Sequence, residues 1–230
     1  MSAATGWARG LLVAFAVAVL ADLGSLIAGA DLGHVIAKPL LMPLLAAYAA
    51  VRGAPRLIVV ALLFGWGGDV FLLADADWAF LVGMGCFAAG HVCYLALFGR
   101  SGRSSRTSKV LGAGYAVALL ATVVLLWPDL PAELRIPVAG YSLLLTAMAW
   151  RASGLGLYAG LGGALFLLSD TLIATGVAEW PQLPAPDFWI MITYAAAQYL
   201  LVRGVLGRRP EAPAASSAYR EGRTTGTTTV

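Results

Sequence analysis

Five ionisable side chains interrupt runs that are otherwise apolar: Asp22, Lys38, Asp69, His91 and Asp170. At the centre of a bilayer-embedded helix such a residue costs on the order of 3 kcal/mol, so it marks a functional site by default. At about 1.5 Å rise per residue from the midpoint of each run, Asp22, Lys38, Asp69 and Asp170 all fall roughly 6 Å toward the same side. At that depth they can share one layer. His91 lies on the other side of the midplane, with Tyr94 a turn further along the same face. Three carboxyls against one ammonium leave an excess of negative charge, which is relieved when Lys38 pairs with one carboxyl and another keeps its proton. A protonated carboxyl beside an ionised one is the equipment for general acid and general base catalysis. The competing reading is that these groups only tie helices together by hydrogen bonds, and for Asp22 that reading comes first.

The neighbouring residues widen the set. Lys38 precedes Pro39, with Pro43 one turn on, so the start of this run is expected to kink and to free backbone carbonyls. Equally, Lys38 can snorkel toward the outer interface. Gln198, with Tyr194 one turn before it, either meets a substrate headgroup or bridges helices. His91 and His34 are the only histidines, and His34 falls at a helix end, so a three-histidine metal site cannot be assembled. Cys86 and Cys93 share one run, offer no CxxC pattern and read as small buried hydrophobes.

The elements that must position these groups are membrane helices. Hydrophobic residues make up 60% of the 230 and charged ones 12%, about half the charged share of a soluble domain. Apolar runs near 8–28, 33–51, 56–74, 78–98, 109–127, 134–150, 154–177 and 187–206 predict eight spans. Backbone groups in lipid must pair internally, and long runs without alternation exclude a barrel, so the class is all-α, polytopic, in one bundle. The run 11–30 is long enough to span and is expected to be retained, although Ala28-Gly29-Ala30 resembles a cleavage site. Residues 1–206 form the predicted membrane domain. The stretch 207–230, rich in Ala, Pro, Ser, Thr and Arg, is predicted to be a disordered tail.

Charge sets the expected orientation. Arg52, Arg56, Arg100, Arg103, Arg106, Lys109, Arg151, Arg203, Arg208 and Arg209 follow the even-numbered spans, and the alternate loops carry Asp31, Asp75, Asp77, Asp129, Glu133, Glu179 and Asp187, with Arg135 the exception. Both termini are therefore predicted cytoplasmic. The pI near 9.0 reflects this topology and not an affinity for nucleic acid. Small residues, among them Gly65, Gly67, Gly68, Gly83, Gly90, Gly160 and Gly163, permit close helix approach. Gly68-Asp69 in span 3 and Ser169-Asp170 in span 7 hint at a four-plus-four repeat.

Five motifs in order, Lys38-Pro39-Leu40-Leu41-Met42-Pro43, Gly68-Asp69, His91-Val92-Cys93-Tyr94, Gly163 through Ser169-Asp170, and Tyr194-Ala195-Ala196-Ala197-Gln198, resemble the YhhN family of eight-span membrane proteins, which includes the lysoplasmalogenases. The resemblance implies a hydrolase that takes a lysophospholipid from the bilayer and uses water to cleave the vinyl ether bond of a lysoplasmalogen. The products would be a fatty aldehyde and a glycerophospho-alcohol. It implies that Asp69 and Asp170 are the acid and base, in an unassigned order, that His91 and Tyr94 orient or relay, and that Lys38, Ser169, Tyr194 and Gln198 support or bind. The chemistry calls for no metal or organic cofactor. A transporter or proton-coupled carrier is the alternative, since buried Asp, Lys and His also build ion pathways. A pure scaffold would explain the glycines but not the ionisable layer.

Overall fold

The structure is a computed structural model that describes residues 3–74, 76–99 and 106–207. The chain is all-helical over these residues: α1 (Ala3–Ala28), α2 (Asp31–Val51), α3 (Arg56–Phe71), α4 (Asp77–Phe98), α5 (Arg106–Leu126), α6 (Ala132–Ser153), α7 (Leu157–Val177) and α8 (Pro186–Leu206). All but the first part of the predicted tail, and Arg100 and Arg103 of the basic loop, lie outside the described residues.

The architecture is a polytopic membrane bundle. Six of the eight helices are long and apolar enough to cross a bilayer. The other two are α3, whose 16 residues give about 24 Å at 1.5 Å each, and α6, which carries Glu133, Arg135 and Arg151. Span 3 was expected to reach residue 74, but α3 ends at Phe71 and the chain turns through Leu72 and Leu73. Pro39 and Pro43 sit inside a helix that stays continuous from Asp31 to Val51. Each proline lacks an N–H, so the carbonyls of Val35 and Pro39 lose their helical donors, and the rest of the ladder carries the helix through.

Consecutive helices pack side by side within α1–α4 and within α6–α8, and the halves join where α4 meets α6 and where α8 meets α1 and α2. Helix α5 lies at the margin against α6 and turns most of its surface, including Val117, Leu120 and Val124, outward to lipid. Small residues set the closest approaches. A Cβ on Gly68 would stand 2.5 Å from the Phe87 ring, one on Gly90 would stand 3.1 Å from the Ala61 carbonyl, and one on Gly163 would stand 2.8 Å from the Ala149 backbone. Dispersion across such contacts holds helices together where lipid competes for apolar surface.

The two ends differ in charge as the loops predict. At one end Arg151 donates to the Gly99 carbonyl (2.9 Å) and Arg203 lies over the Tyr158 ring. At the other, Trp180 donates to Asp129 (2.8 Å). Arg135, the basic residue on the acidic side, donates to the carbonyls of Leu130 and Pro128, so its charge is taken up by the turn between α5 and α6.

Candidate functional site

Helix α3 delivers Asp69 to the bundle interior, and α8 meets it with a line of donors. The Tyr194 hydroxyl donates to Asp69 Oδ2 (2.9 Å), Gln198 Nε2 donates to the Tyr194 oxygen (3.4 Å), and the Tyr94 hydroxyl of α4 donates to Gln198 Oε1 (2.5 Å). Every proton in this chain points toward the carboxyl. Tyr194 and Gln198 are one helical turn apart, so they stack on one face of α8. Gly65 makes room for both, because a Cβ there would stand 3.1 Å from Gln198 Nε2 and 3.1 Å from the Tyr194 oxygen. Asp69, Tyr94, Tyr194 and Gln198 are all buried.

Asp170 on α7 has a separate network. The Tyr141 hydroxyl of α6 donates to Asp170 Oδ2, and His91 Nε2 of α4 lies 3.0 Å from the same Tyr141 oxygen. A phenol has one proton, and Tyr141 spends it on Asp170, so the histidine donates through Nε2–H and Nδ1 is the bare acceptor. That Nδ1 is buried and has no partner. His91 and Tyr94, three residues apart on α4, thus serve different carboxyls.

An aromatic wall separates the two networks. Phe166 packs edge-on against both His91 (4.7 Å between ring centroids) and Tyr194 (5.5 Å), and Phe87 packs against both Phe166 and Tyr194. Asp69 nevertheless lies close enough to feel the charges of Lys38, Asp22 and Asp170.

The two carboxyls differ in their relation to the cavities found among the described residues. Asp170 and Tyr141 line a cavity of about 60 Å³ between α4, α5, α6 and α7, whose other walls are mostly apolar. It shares Leu72, Phe80 and Val177 with a second cavity of about 620 Å³ at the acidic end, where Asp77 and Glu133 stand. Asp69 lines neither.

The remaining expected residues fall elsewhere. Lys38 is buried and acts on Asp22 and Asp69 through its charge. The direct partner of Asp22 is His34, with Nδ1 2.7 Å from Oδ1, a pairing the sequence reading did not anticipate. Ser169 donates to the Ile190 carbonyl (3.1 Å) and ties α7 to α8. The expected site residues thus fall into two hydrogen-bonded clusters on either side of Phe87 and Phe166. Among the described residues no group of three or more His, Cys, Asp or Glu is placed to hold a metal ion.

Tyr141 is the residue that sequence reasoning missed. A signal existed: tyrosines of membrane helices favour the interfacial belts, and one near the middle of a span has a hydroxyl that demands a buried partner.

A bundle of membrane helices with two tyrosine-bonded aspartates on its third and seventh members, Asp69 buried and Asp170 half-buried, defines a polytopic membrane protein with an internal polar site. The chain belongs to the YhhN family, whose model matches residues 33–205. It is 36% identical to the human lysoplasmalogenase TMEM86B over 158 residues, which cover 67% of this chain and 65% of the human protein. It is 38% identical to the pig TMEM86B over 141 residues, 61% of this chain and 59% of that one. It is 32% identical to the lysoplasmalogenase of Mycobacterium tuberculosis over 190 residues, 75% and 71% of the two chains. The chain thus spans somewhat less than two thirds of the first two relatives. No solved structure matches it.

Proposed function

We propose that this chain is a membrane hydrolase that cleaves the vinyl ether bond of a lysoplasmalogen, with Asp170 as the acid and Asp69 as the anion of the pair. The observation that carries this reading is the contrast in access. Asp170 opens on a small, mostly apolar cavity with room for the reacting end of an alkenyl chain, whereas Asp69 lies beneath Tyr194, lines neither of the two cavities and has the Lys38 charge nearby. The names of the human, pig and mycobacterial relatives support the same substrate class.

The chemistry follows from the bond. Asp170 passes a proton to the β-carbon of the vinyl ether, and the π electrons leave an oxocarbenium ion. Tyr141 stabilises the carboxylate that forms, and His91 fixes the Tyr141 hydroxyl. The Asp69 charge, held by Tyr194 and acting through a medium of low dielectric, offsets the developing cation. Water then adds to the carbon and returns a proton to Asp170. The hemiacetal collapses to aldehyde and glycerophospho-alcohol. The larger cavity at the acidic end has the volume of an ordinary small-molecule site and would take the headgroup.

In this reading both termini are cytoplasmic, so reporters fused near Arg52 and Glu179 label opposite sides. The decisive experiment incubates purified protein in detergent with 1-alkenyl, 1-alkyl and 1-acyl lysolipids and identifies products by mass spectrometry. Aldehyde from the alkenyl lipid alone is the expected result. No aldehyde from any headgroup variant overturns the proposal, and a carrier needs a sealed vesicle where a hydrolase does not.

A further inference from the structure

The Thr146 hydroxyl on α6 is buried and has no hydrogen-bond partner. That is out of keeping with the rest of the chain. Thr171, Thr175, Thr193, Ser25 and Ser153 all return their hydroxyls to a carbonyl three or four residues back. This is the ordinary way for a hydroxyl in a membrane helix to be satisfied. An unmet buried hydroxyl costs about 1–3 kcal/mol, and the preceding turn offers Thr146 an acceptor that it does not use.

Its position suggests the reason. Thr146 lies one turn beyond Ser142, and both line the same cavity as Tyr141 and Asp170. Helix α6 therefore brings three hydroxyl-bearing residues to a wall that is otherwise largely apolar, set by Leu119, Leu145, Leu167 and Ile173. A purely apolar cavity stays dry, while a water needs about 10–15 Å³ and at least two polar partners. A cavity of about 60 Å³ has that room.

We infer that Ser142 and Thr146 are the positioning residues for the hydrolytic water, holding it in the cavity beside Asp170. The inference rests on the proposed function and adds the origin of the nucleophile. After protonation of the β-carbon, this water forms the new C–O bond to the oxocarbenium carbon and gives its proton to the Asp170 carboxylate. The bond from the hemiacetal carbon to the glycerol oxygen then breaks as the hemiacetal hydroxyl proton moves to that departing oxygen. No oxidant or further reactant enters.

The test compares wild type with Thr146→Val, Ser142→Ala and Thr146→Ser in turnover of an alkenyl lysolipid with methanol added. Methanol competes with water for the oxocarbenium ion and yields a stable mixed acetal. Loss of the hydroxyls should lower kcat about ten- to a hundredfold, since misplacing a reactant by an ångström has effects of that order, and leave KM nearly unchanged. It should also raise the acetal-to-aldehyde ratio severalfold, which a merely structural role would not do. Thr146→Ser should restore both. If Thr146→Val does not purify as a folded protein, Ser142→Ala is read by the same ratio. Wild-type rates and ratios in both hydroxyl-deleted variants would overturn the inference and leave the proposed function standing. No aldehyde from wild type would overturn both.

Discussion

Asp69 and Asp170 occupy matching places, each following a small residue on the third helix of a four-helix half, yet their surroundings diverge. Asp69 ends a relay of donors, Tyr94 to Gln198 to Tyr194, and lines neither of the two cavities. Asp170 receives one tyrosine proton, from Tyr141, and opens on a cavity. Two like groups are thus distinguished by the aromatic residues around them. In the proposed reading one carboxyl is reached by substrate and the other acts at a distance, through its charge.

If that division holds, Asp170→Asn produces the largest effect. Removing a general acid typically costs 10²- to 10⁴-fold, and kcat should fall in about that range with insertion and purification unaffected, because a neutral amide is no costlier to bury than a carboxylate. Asp69→Asn keeps the Tyr194 contact but deletes the charge, so a smaller loss is expected, of order 10²-fold. The double variant should lose much less than the product of the two if they work on one transition state. Steady-state kinetics of the three proteins decide the matter. An Asp69→Asn loss larger than that of Asp170→Asn would reverse the assignment.

The tyrosines should differ in their effect on turnover. Tyr141→Phe removes the donor from the carboxyl that faces the cavity and the acceptor of the buried His91 Nε2–H, so kcat should drop about tenfold, as for a lost hydrogen bond to a charged group, along with about 1–3 kcal/mol of stability. Tyr194→Phe strips Gln198 Nε2 of its acceptor in a buried network, costing about 1–3 kcal/mol of stability with a milder effect on rate. Initial rates beside thermal unfolding in detergent would show the difference. Equal losses of kcat at similar stability would erase the contrast between the clusters.

Much of this arrangement was legible from the sequence, for physical reasons that also mark its limit. Helix existence followed from run length, because lipid admits no other solution for long apolar segments. The expectation of a common depth for Asp22, Lys38, Asp69 and Asp170 rested on the fixed helical rise. Rotation about each helix axis did not follow, since hydrophobic residues surround every span and leave no amphipathic stripe to orient it. His91 and Tyr94 therefore seemed to act together, whereas α6 draws one toward Asp170 and α8 the other toward Asp69. Tyr141 and Thr146 escaped notice for a related reason: neither is charged, and a hydroxyl becomes conspicuous only when its partner, or lack of one, is visible.

A subtler probe of the same comparison is Gly65→Ala. The new methyl would stand 3.1 Å from both Gln198 Nε2 and the Tyr194 oxygen, tight enough that α8 or the side chains must shift by a few tenths of an ångström. Overpacking of this kind costs about 1–3 kcal/mol. Because the strain falls on the Asp69 side of the Phe87 and Phe166 wall, the unfolding midpoint should drop while kcat falls only a fewfold. A collapse of kcat in a stable Gly65→Ala protein would mean that Tyr194 and Gln198 touch the substrate.

The smallest effect on turnover is expected from the Asp22–His34 pair. It lies beside the ionisable layer, and Asp22 precedes the matched stretch of residues 33–205, so it is a feature of this chain on which the common chemistry need not depend. It joins α1 to the first turn of α2 through a 2.7 Å contact, with Asp22 almost fully buried and His34 partly exposed. Asp22→Asn and His34→Ala should each lower stability by about 1–3 kcal/mol, and the double variant should show a coupling of roughly 0.5–3 kcal/mol, the signature of a direct contact. Turnover at saturating substrate should change less than about threefold, the scale of an interaction of a few tenths of a kcal/mol. The sensitive point is Lys38, whose charge acts on both Asp22 and Asp69. If the pair also holds that ammonium in place, His34→Ala will reduce kcat as Asp69→Asn does, and the two losses will not add. That outcome would extend the Asp69 cluster to α1 and overturn the view of Asp22 as a helix tie.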